Sequence, residues 1–262
     1  MTFDVSARAY DEFMGAWSQR LAPQMIEFAG LERRLRALDV GCGPGALTVA
    51  LVDALGADAV AGVDPSTSFV AATRERAPGV DVRQARAEEL PFPDGAFDAA
   101  LAQLVVHFMA DPLAGLAEMQ RVTRVGGVCA ASVWDYAPGR GPLGPFWEAA
   151  RDLNPNVVDE LELPGVRRGH LAELFATAGF ADVAEATLSA ERAYDSFDDW
   201  WAPFTRGVGP GGAHVAELDA EQRQALRERC RSMLPAVPFV LTAHAWAVRG
   251  TVPRAGSSKR GR

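Results

Sequence analysis

Between residues 37 and 135, short apolar runs alternate with segments whose apolar positions recur every three or four residues. Unbroken apolar runs mark strands buried on both faces, and the three-to-four spacing marks helices with one covered stripe. The runs predict strands over 37–40, 59–64, 80–84, 97–103 and 128–134, with helices over 47–55, 66–77 and 112–122 between them. Ser66 stands where the second of these helices needs an N-cap. Regular strand–helix alternation implies an α/β fold of Rossmann-like, doubly wound type. Two later strands, 182–190 and 239–249, bring the expected sheet to seven, mostly parallel, and a helix over 166–179 stops at Gly179, which suits a C-cap.

Ahead of this core, 6–20 and 23–28 read as two helices, and Tyr10, Phe13, Met14 and Trp17 share a face that must pack on something. Two stretches break the alternation: 136–165, rich in proline and glycine, and 196–238, with its Trp200-Trp201 pair and a glycine-rich loop over 207–212. Both follow strands, so both are expected as helical insertions roofing a site at the carboxyl edge, where open α/β sheets bind ligands. The expected organisation is one domain over 1–252: N-terminal helices to 30, a ligand-binding core over 35–135 and the two insertions. A disordered basic tail is expected over 253–262.

Charge narrows the partners. The chain carries 34 acidic and 26 basic residues, a formal charge of -8, so its average surface repels phosphate backbones and nucleic acid is not an expected partner. Cys42, Cys129 and Cys230 lie far apart, with neither zinc-ligand spacing nor an even count for disulfides, which fits a reducing compartment and no bound metal. The first ten residues lack an apolar run, and no segment reaches the roughly 20 apolar residues of a membrane span. A soluble, cytoplasmic protein is expected.

Chemistry concentrates at two strand ends. Leu38-Asp39-Val40-Gly41-Cys42-Gly43-Pro44-Gly45 runs from a strand through a glycine turn into a helix, and glycines there permit close ligand approach. Gly41, Gly43 and Ala46 also fit a dinucleotide fingerprint. Asp39 tilts the choice, because a carboxylate there suits a ligand's ammonium group and repels a pyrophosphate. Asp64, followed by Pro65, ends the second strand about 20 residues on, where an acid accepts hydrogen bonds from ribose hydroxyls; capping the next helix is its other possible role.

The segment Ala87-Glu88-Glu89-Leu90-Pro91-Phe92-Pro93-Asp94-Gly95-Ala96-Phe97-Asp98 resembles one in the S-adenosylmethionine (SAM)-dependent methyltransferases related to ubiquinone and menaquinone biosynthesis. Arg121-Val122-Thr123-Arg124-Val125-Gly126-Gly127 is similar to their turn before the fifth strand, with Val125 where proline is usual. Segments 10–18 and 197–204 resemble a bacterial subgroup of the same family. The resemblance implies a class I methyltransferase with SAM as cofactor and a small-molecule acceptor. It implies that Gly41 and Gly43 line the methionine part, Asp64 and Pro65 meet the ribose, Ala87 and Glu88 lie along the adenine, and Gln103 approaches the methionine amino group. Arg86 stands where relatives often keep an acid.

Methyl transfer from an activated sulfonium needs alignment above all, and a general base only for a protonated nucleophile. His107, shortly after the fourth strand, is the first candidate base; Asp135 and Tyr136, ending the fifth, also stand where an acceptor would bind. His214 qualifies only if its insertion folds over the site. Trp200, Trp201 and Phe204 would wall an acceptor pocket or form a lid core, and Tyr10 and Trp17 would cover the cofactor or pin their helix. Two other functions fit these motifs: an NAD-dependent oxidoreductase, and a SAM-binding protein without turnover.

Overall fold

In a computed structural model, which describes residues 7–254, the chain alternates strands and helices as the pattern predicts. The expected basic tail from 255 onward and residues 1–6 lie outside the described residues. The elements are α1 (Ala7–Tyr10), α2 (Ala16–Ala29), β1 (Ala37–Val40), α3 (Ala46–Leu55), β2 (Val60–Asp64), α4 (Thr67–Arg76), β3 (Asp81–Gln84) and β4 (Phe97–Gln103). There follow α5 (Pro112–Val122), β5 (Thr123–Trp134), α6 (Gly144–Leu153), α7 (His170–Thr177), β6 (Ala181–Tyr194), α8 (Phe197–Trp201), α9 (Gly209–Glu217), α10 (Ala220–Met233) and β7 (Phe239–Thr251). They build one seven-stranded sheet of order β3-β2-β1-β4-β5-β7-β6, in which β7 runs antiparallel to both neighbours.

Alternation along β1 shows how the sheet divides its core. Leu38 and Val40 face Leu116 and Met119 of α5 and Phe175 of α7, whereas Ala37 faces Leu21 and Met25 of α2 and Leu51 of α3. Covering both faces removes the apolar side chains of every central strand from water, which is why these strands read as unbroken apolar runs. The chain crosses from β1 to β2 on one side and to β4 on the other, so a crevice opens at the carboxyl ends of β1 and β4.

Three local expectations need correction. The two N-terminal helices meet in a single helix, α2, which runs through Pro23. Pro23 and Gln19 are both exposed, so the Gln19 carbonyl that loses its helical partner faces water and the helix survives the interruption. The glycine-rich 207–212 segment is not an open loop, since α9 begins at Gly209 with Pro210 in its first turn. Its glycines serve close packing: a Cβ on Gly212 would lie 2.6 Å from the Gly207 carbonyl carbon. Strand β5 starts at Thr123, earlier than expected, with a register shift against β4 between Phe97 and Ala99.

Above the crevice, α6, α8, α9 and the short 3-10 turn Ala202–Arg206 form a roof with an aromatic centre. Phe146 stacks on Phe204 at 4.4 Å, and Phe204 meets Phe13, edge to face, at 5.1 Å. Phe13 lies in the π-helical turn Asp11–Gly15, where Asp11 pairs with Arg76 of α4 and Glu12 with Arg206. The N-terminal segment therefore ties the core to the roof.

Candidate active site

The glycine turn after β1 is held in shape from below. The Gly41 and Cys42 amides donate to the Val63 carbonyl at 2.8 and 2.9 Å, and the Thr73 hydroxyl donates to the Gly43 carbonyl at 2.6 Å. Gly41, at φ +71°, is pressed against Val105, whose methyl carbons would sit 2.5–2.6 Å from an added Cβ. Gly43, at φ +53°, has nothing within 4 Å of that position, so its backbone fronts open space. Asp64 closes the arrangement: one carboxylate oxygen accepts from the Gly43 amide at 2.9 Å and the other from the Ser66 amide at 2.8 Å. Burial raises its carboxyl above the usual range, opposed by those two amides.

These groups line a crevice of about 390 Å³. Gly41, Gly43, Asp64, Pro65, Ala87 and Glu88 are on its wall, as is Gln103 at the end of β4. Gln103 is 8% exposed; its amide nitrogen donates to the Ser18 carbonyl at 3.0 Å, while its Oε1 is buried without a partner among the described residues. A buried carbonyl left unsatisfied is costly, and a ligand's ammonium would satisfy it. The crevice thus offers an acceptor for an amine, a carboxylate at ribose height and an open glycine backbone, which fits an adenosyl amino acid.

A second, smaller cavity of about 40 Å³ adjoins it, and Tyr10, Leu104 and Phe108 belong to both walls. Phe13, Trp134, Tyr136 and His107 line its interior, with Val208 and Gly209 from the roof. Leu104 sits at φ +63°, a left-handed conformation that costs a leucine about 1 kcal/mol or more and persists where packing imposes it. His107 is 3% exposed and makes no side-chain hydrogen bond among the described residues. Burial drops its pKa to about 3, so the ring is neutral at physiological pH. Glu160, 2% exposed, accepts from the Tyr136 hydroxyl at 2.7 Å and from the Trp147 indole at 2.8 Å.

Comparison with known proteins decides the family. Residues 38–131 match the model of a methyltransferase domain. Demethylmenaquinone methyltransferase of Beutenbergia cavernae is 33% identical over 174 residues, 61% of this chain and 72% of that protein. The chain belongs to the SAM-dependent methyltransferases. A chloroplastic 2-methyl-6-phytyl-1,4-hydroquinone methyltransferase of Oryza sativa is 32% identical over 173 residues, covering 64% of this chain and 46% of the relative. The chain spans about half the length of the first curated relatives it matches. Among solved structures, the YcgJ protein from Bacillus subtilis shares the fold, with a TM-score of 0.57, 21% identity, and coverage of 88% of this chain and 97% of that one.

Across the crevice and the cavity the expected site residues divide. Glu88 reaches the crevice, but its Oε1 is engaged by the Ala110 amide at 2.7 Å and its Oε2 lies 3.6 Å from Arg86, so it braces the 110–111 turn as well as the wall. Asp39 is off the wall altogether. It points to the α3 face of the sheet, 1% exposed, and accepts from the Thr48 hydroxyl at 2.6 Å. The structure gives it this internal bond in place of the expected position on the crevice wall, because position 39 pairs with Gly62, two register positions short of Asp64, and is covered by α3.

Burial pushes the Asp39 carboxyl up to about 7 from an ordinary 3.8, against the lowering bond from Thr48. Between those two values the unfolded chain has lost this proton and the folded one keeps it, so Asp39 costs nothing below pH 4 and its full penalty above 7. Asp39→Asn is expected to gain stability over the parent by about 1.4 kcal/mol per pH unit across that window. Urea denaturation at pH 5 and pH 8 measures the difference; an equal gap at both would show that Asp39 is ionised in the fold.

Asp135 is also misplaced by the sequence reading. It is 1% exposed, ion-paired with Arg140 and accepting from the Ala137 amide at 3.0 Å, and it lines a separate cleft with Arg167, Arg168 and Trp246. Arg140, five residues on, supplies the counter-charge that turns it away from the acceptor cavity. Trp200, Trp201 and Phe204 are the roof's core and not its inner wall, and His214 packs beside Trp147 outside both cavities. Trp17 is buried against Trp134, whereas Tyr10 stands between the cavities. Leu104, Phe108, Met109 and the first turn of α4 join the walls without a motif to announce them. Glu160 was hidden in the run Asp159-Glu160-Leu161-Glu162, which reads as solvated acid.

Proposed function

We propose that this chain binds SAM in the 390 Å³ crevice and moves the methyl group onto a small organic acceptor held in the adjoining aromatic cavity. The observation that carries the proposal is the shared wall: Tyr10, Leu104 and Phe108 bound both spaces, as in-line transfer between two ligands requires. SAM supplies a methyl group already activated by its sulfonium. The protein's part is then to orient and to exclude water. Gln103 holds the amino group, Asp64 and Pro65 the ribose, and Ala87 and Glu88 flank the base. His107, neutral and without a partner of its own, receives a proton from the acceptor.

Among the described residues no helix is long and apolar enough to cross a membrane. The free, buried cysteines Cys42, Cys129 and Cys230 support a reducing, cytoplasmic setting, and the charge of -8 supports a small molecule over nucleic acid. The described chain is read as one SAM-binding unit whose insertions supply the acceptor side.

Calorimetry on the purified chain tests the cofactor. SAM and its demethylated product are expected to bind at micromolar concentrations and NADH not at all. Binding of NADH alone would overturn the proposal.

A further inference from the structure

The acceptor cavity holds a feature that a generic methyl acceptor does not explain. Its walls are aromatic, from Tyr10, Phe13, Phe108, Trp134 and Tyr136, and among the described residues Glu160 is the one carboxyl group that lines it. No arginine, lysine or histidine pairs with Glu160 among the described residues; both its oxygens are engaged by neutral donors, the Tyr136 hydroxyl and the Trp147 indole. His107, the histidine among the described lining residues, is neutral. Burial without a counter-charge raises the Glu160 carboxyl above its ordinary range, against the lowering bonds from Tyr136 and Trp147, and a positive neighbour would offset that cost and favour the ionised form. Aromatic faces around an acid add attraction for the same kind of ligand.

We infer that the acceptor is an amine: Glu160 and the aromatic wall recognise its ammonium form, and its nitrogen takes the methyl group. The inference rests on the proposed methyl transfer from SAM. An anionic acceptor meets only repulsion from Glu160, and a neutral alcohol leaves the carboxylate without a counter-charge. A Tyr136 phenol pushed well above its usual range by burial, with the Glu160 charge beside it, stays protonated and keeps its hydrogen bond to Glu160. For transfer, the ammonium gives a proton to an imidazole nitrogen of His107. That step needs the Glu160 charge, because burial alone leaves the ring a far weaker base than the amine. The freed nitrogen lone pair then forms a bond to the methyl carbon. The carbon–sulfur bond breaks with its electron pair remaining on sulfur, so the sulfonium becomes a thioether and the product is a methylated ammonium. Glu160, in the same cavity, stabilises the charge that His107 gains.

The test uses the full chain loaded with S-adenosylhomocysteine and three probes of one size: benzylamine, benzyl alcohol and benzoate. Saturation with S-adenosylhomocysteine, measured first by calorimetry, examines the cofactor reading separately; its failure would withdraw that reading without a probe being added. On loaded protein, benzylamine is expected to bind at least about tenfold tighter than benzyl alcohol and benzoate weakest. Glu160→Gln is expected to erase the preference for benzylamine over benzyl alcohol while S-adenosylhomocysteine binds as in the parent. Equal or tighter binding of the alcohol or the acid to the parent would overturn the inference, as would no binding of any probe to loaded protein. The ranking on the parent stands as evidence even if Glu160→Gln does not fold.

Discussion

Asp64→Ala is expected to weaken SAM binding by about 100-fold, the largest effect of any single crevice substitution. Two losses combine. The carboxylate would accept from ribose hydroxyls, and bonds to a charged acceptor are worth about 1.5–3 kcal/mol each. It also bridges the Gly43 and Ser66 amides, so its removal leaves two donors at the crevice wall without a partner and loosens the glycine turn against the start of α4. Asp64→Asn keeps one acceptor oxygen but presents its amide to a backbone N–H, so an intermediate loss of about tenfold is expected. Calorimetry measures both, with thermal unfolding to separate binding from folding. An Asp64→Ala protein that binds SAM within about threefold of the parent would remove the ribose assignment.

Asp64 was legible from the sequence for the same reason that makes it important: a strand-end acid can bind a ligand or cap a helix, and here it accepts the Ser66 amide while facing the crevice. The strands were legible because burial on both faces leaves unbroken apolar runs, and the N-cap because Ser66 accepts from the Phe69 amide as its position predicts. Asp39 shows where that reasoning stops. Both acids come near strand ends, but Asp39 pairs with Gly62 and so lies two register positions short of Asp64, on the same face but deep enough for Thr48 of α3 to cover it. Asp135 failed for another local reason, a partner five residues on that no strand pattern reveals. Glu160 was invisible because its meaning depends on Tyr136 and Trp147, 24 and 13 residues away, closing around it. Leu104 carries no trace of its left-handed backbone in its identity. What the sequence reports well is therefore periodic and local. The acceptor cavity is neither, since its walls come from α1, the turns after β4 and β5, and the roof.

His107→Ala is expected to lower kcat by about 100-fold while leaving SAM affinity within about twofold of the parent. The ring lines the acceptor cavity and not the crevice, and among the described residues it makes no hydrogen bond that its removal would break. Its rings-in-contact neighbour is Phe108, at 3.9 Å, so some loss of packing will follow; that loss moves the melting temperature, whereas a lost proton acceptor moves turnover. The pH profile separates the two further. Burial holds the histidine down at about 3, so the free enzyme's ring is already unprotonated at pH 5 and stays so above it. A profile of kcat/KM for the acceptor should therefore lack the rising limb near 6.5 that a solvent-exposed histidine base gives. Asp135→Asn supplies the contrast, because its ion pair with Arg140 belongs to another cleft, and its turnover is expected to stay within about threefold of the parent. If Asp135→Asn fell as far as His107→Ala, the acceptor would be entering through the arginine-lined cleft and the aromatic cavity would not be its seat.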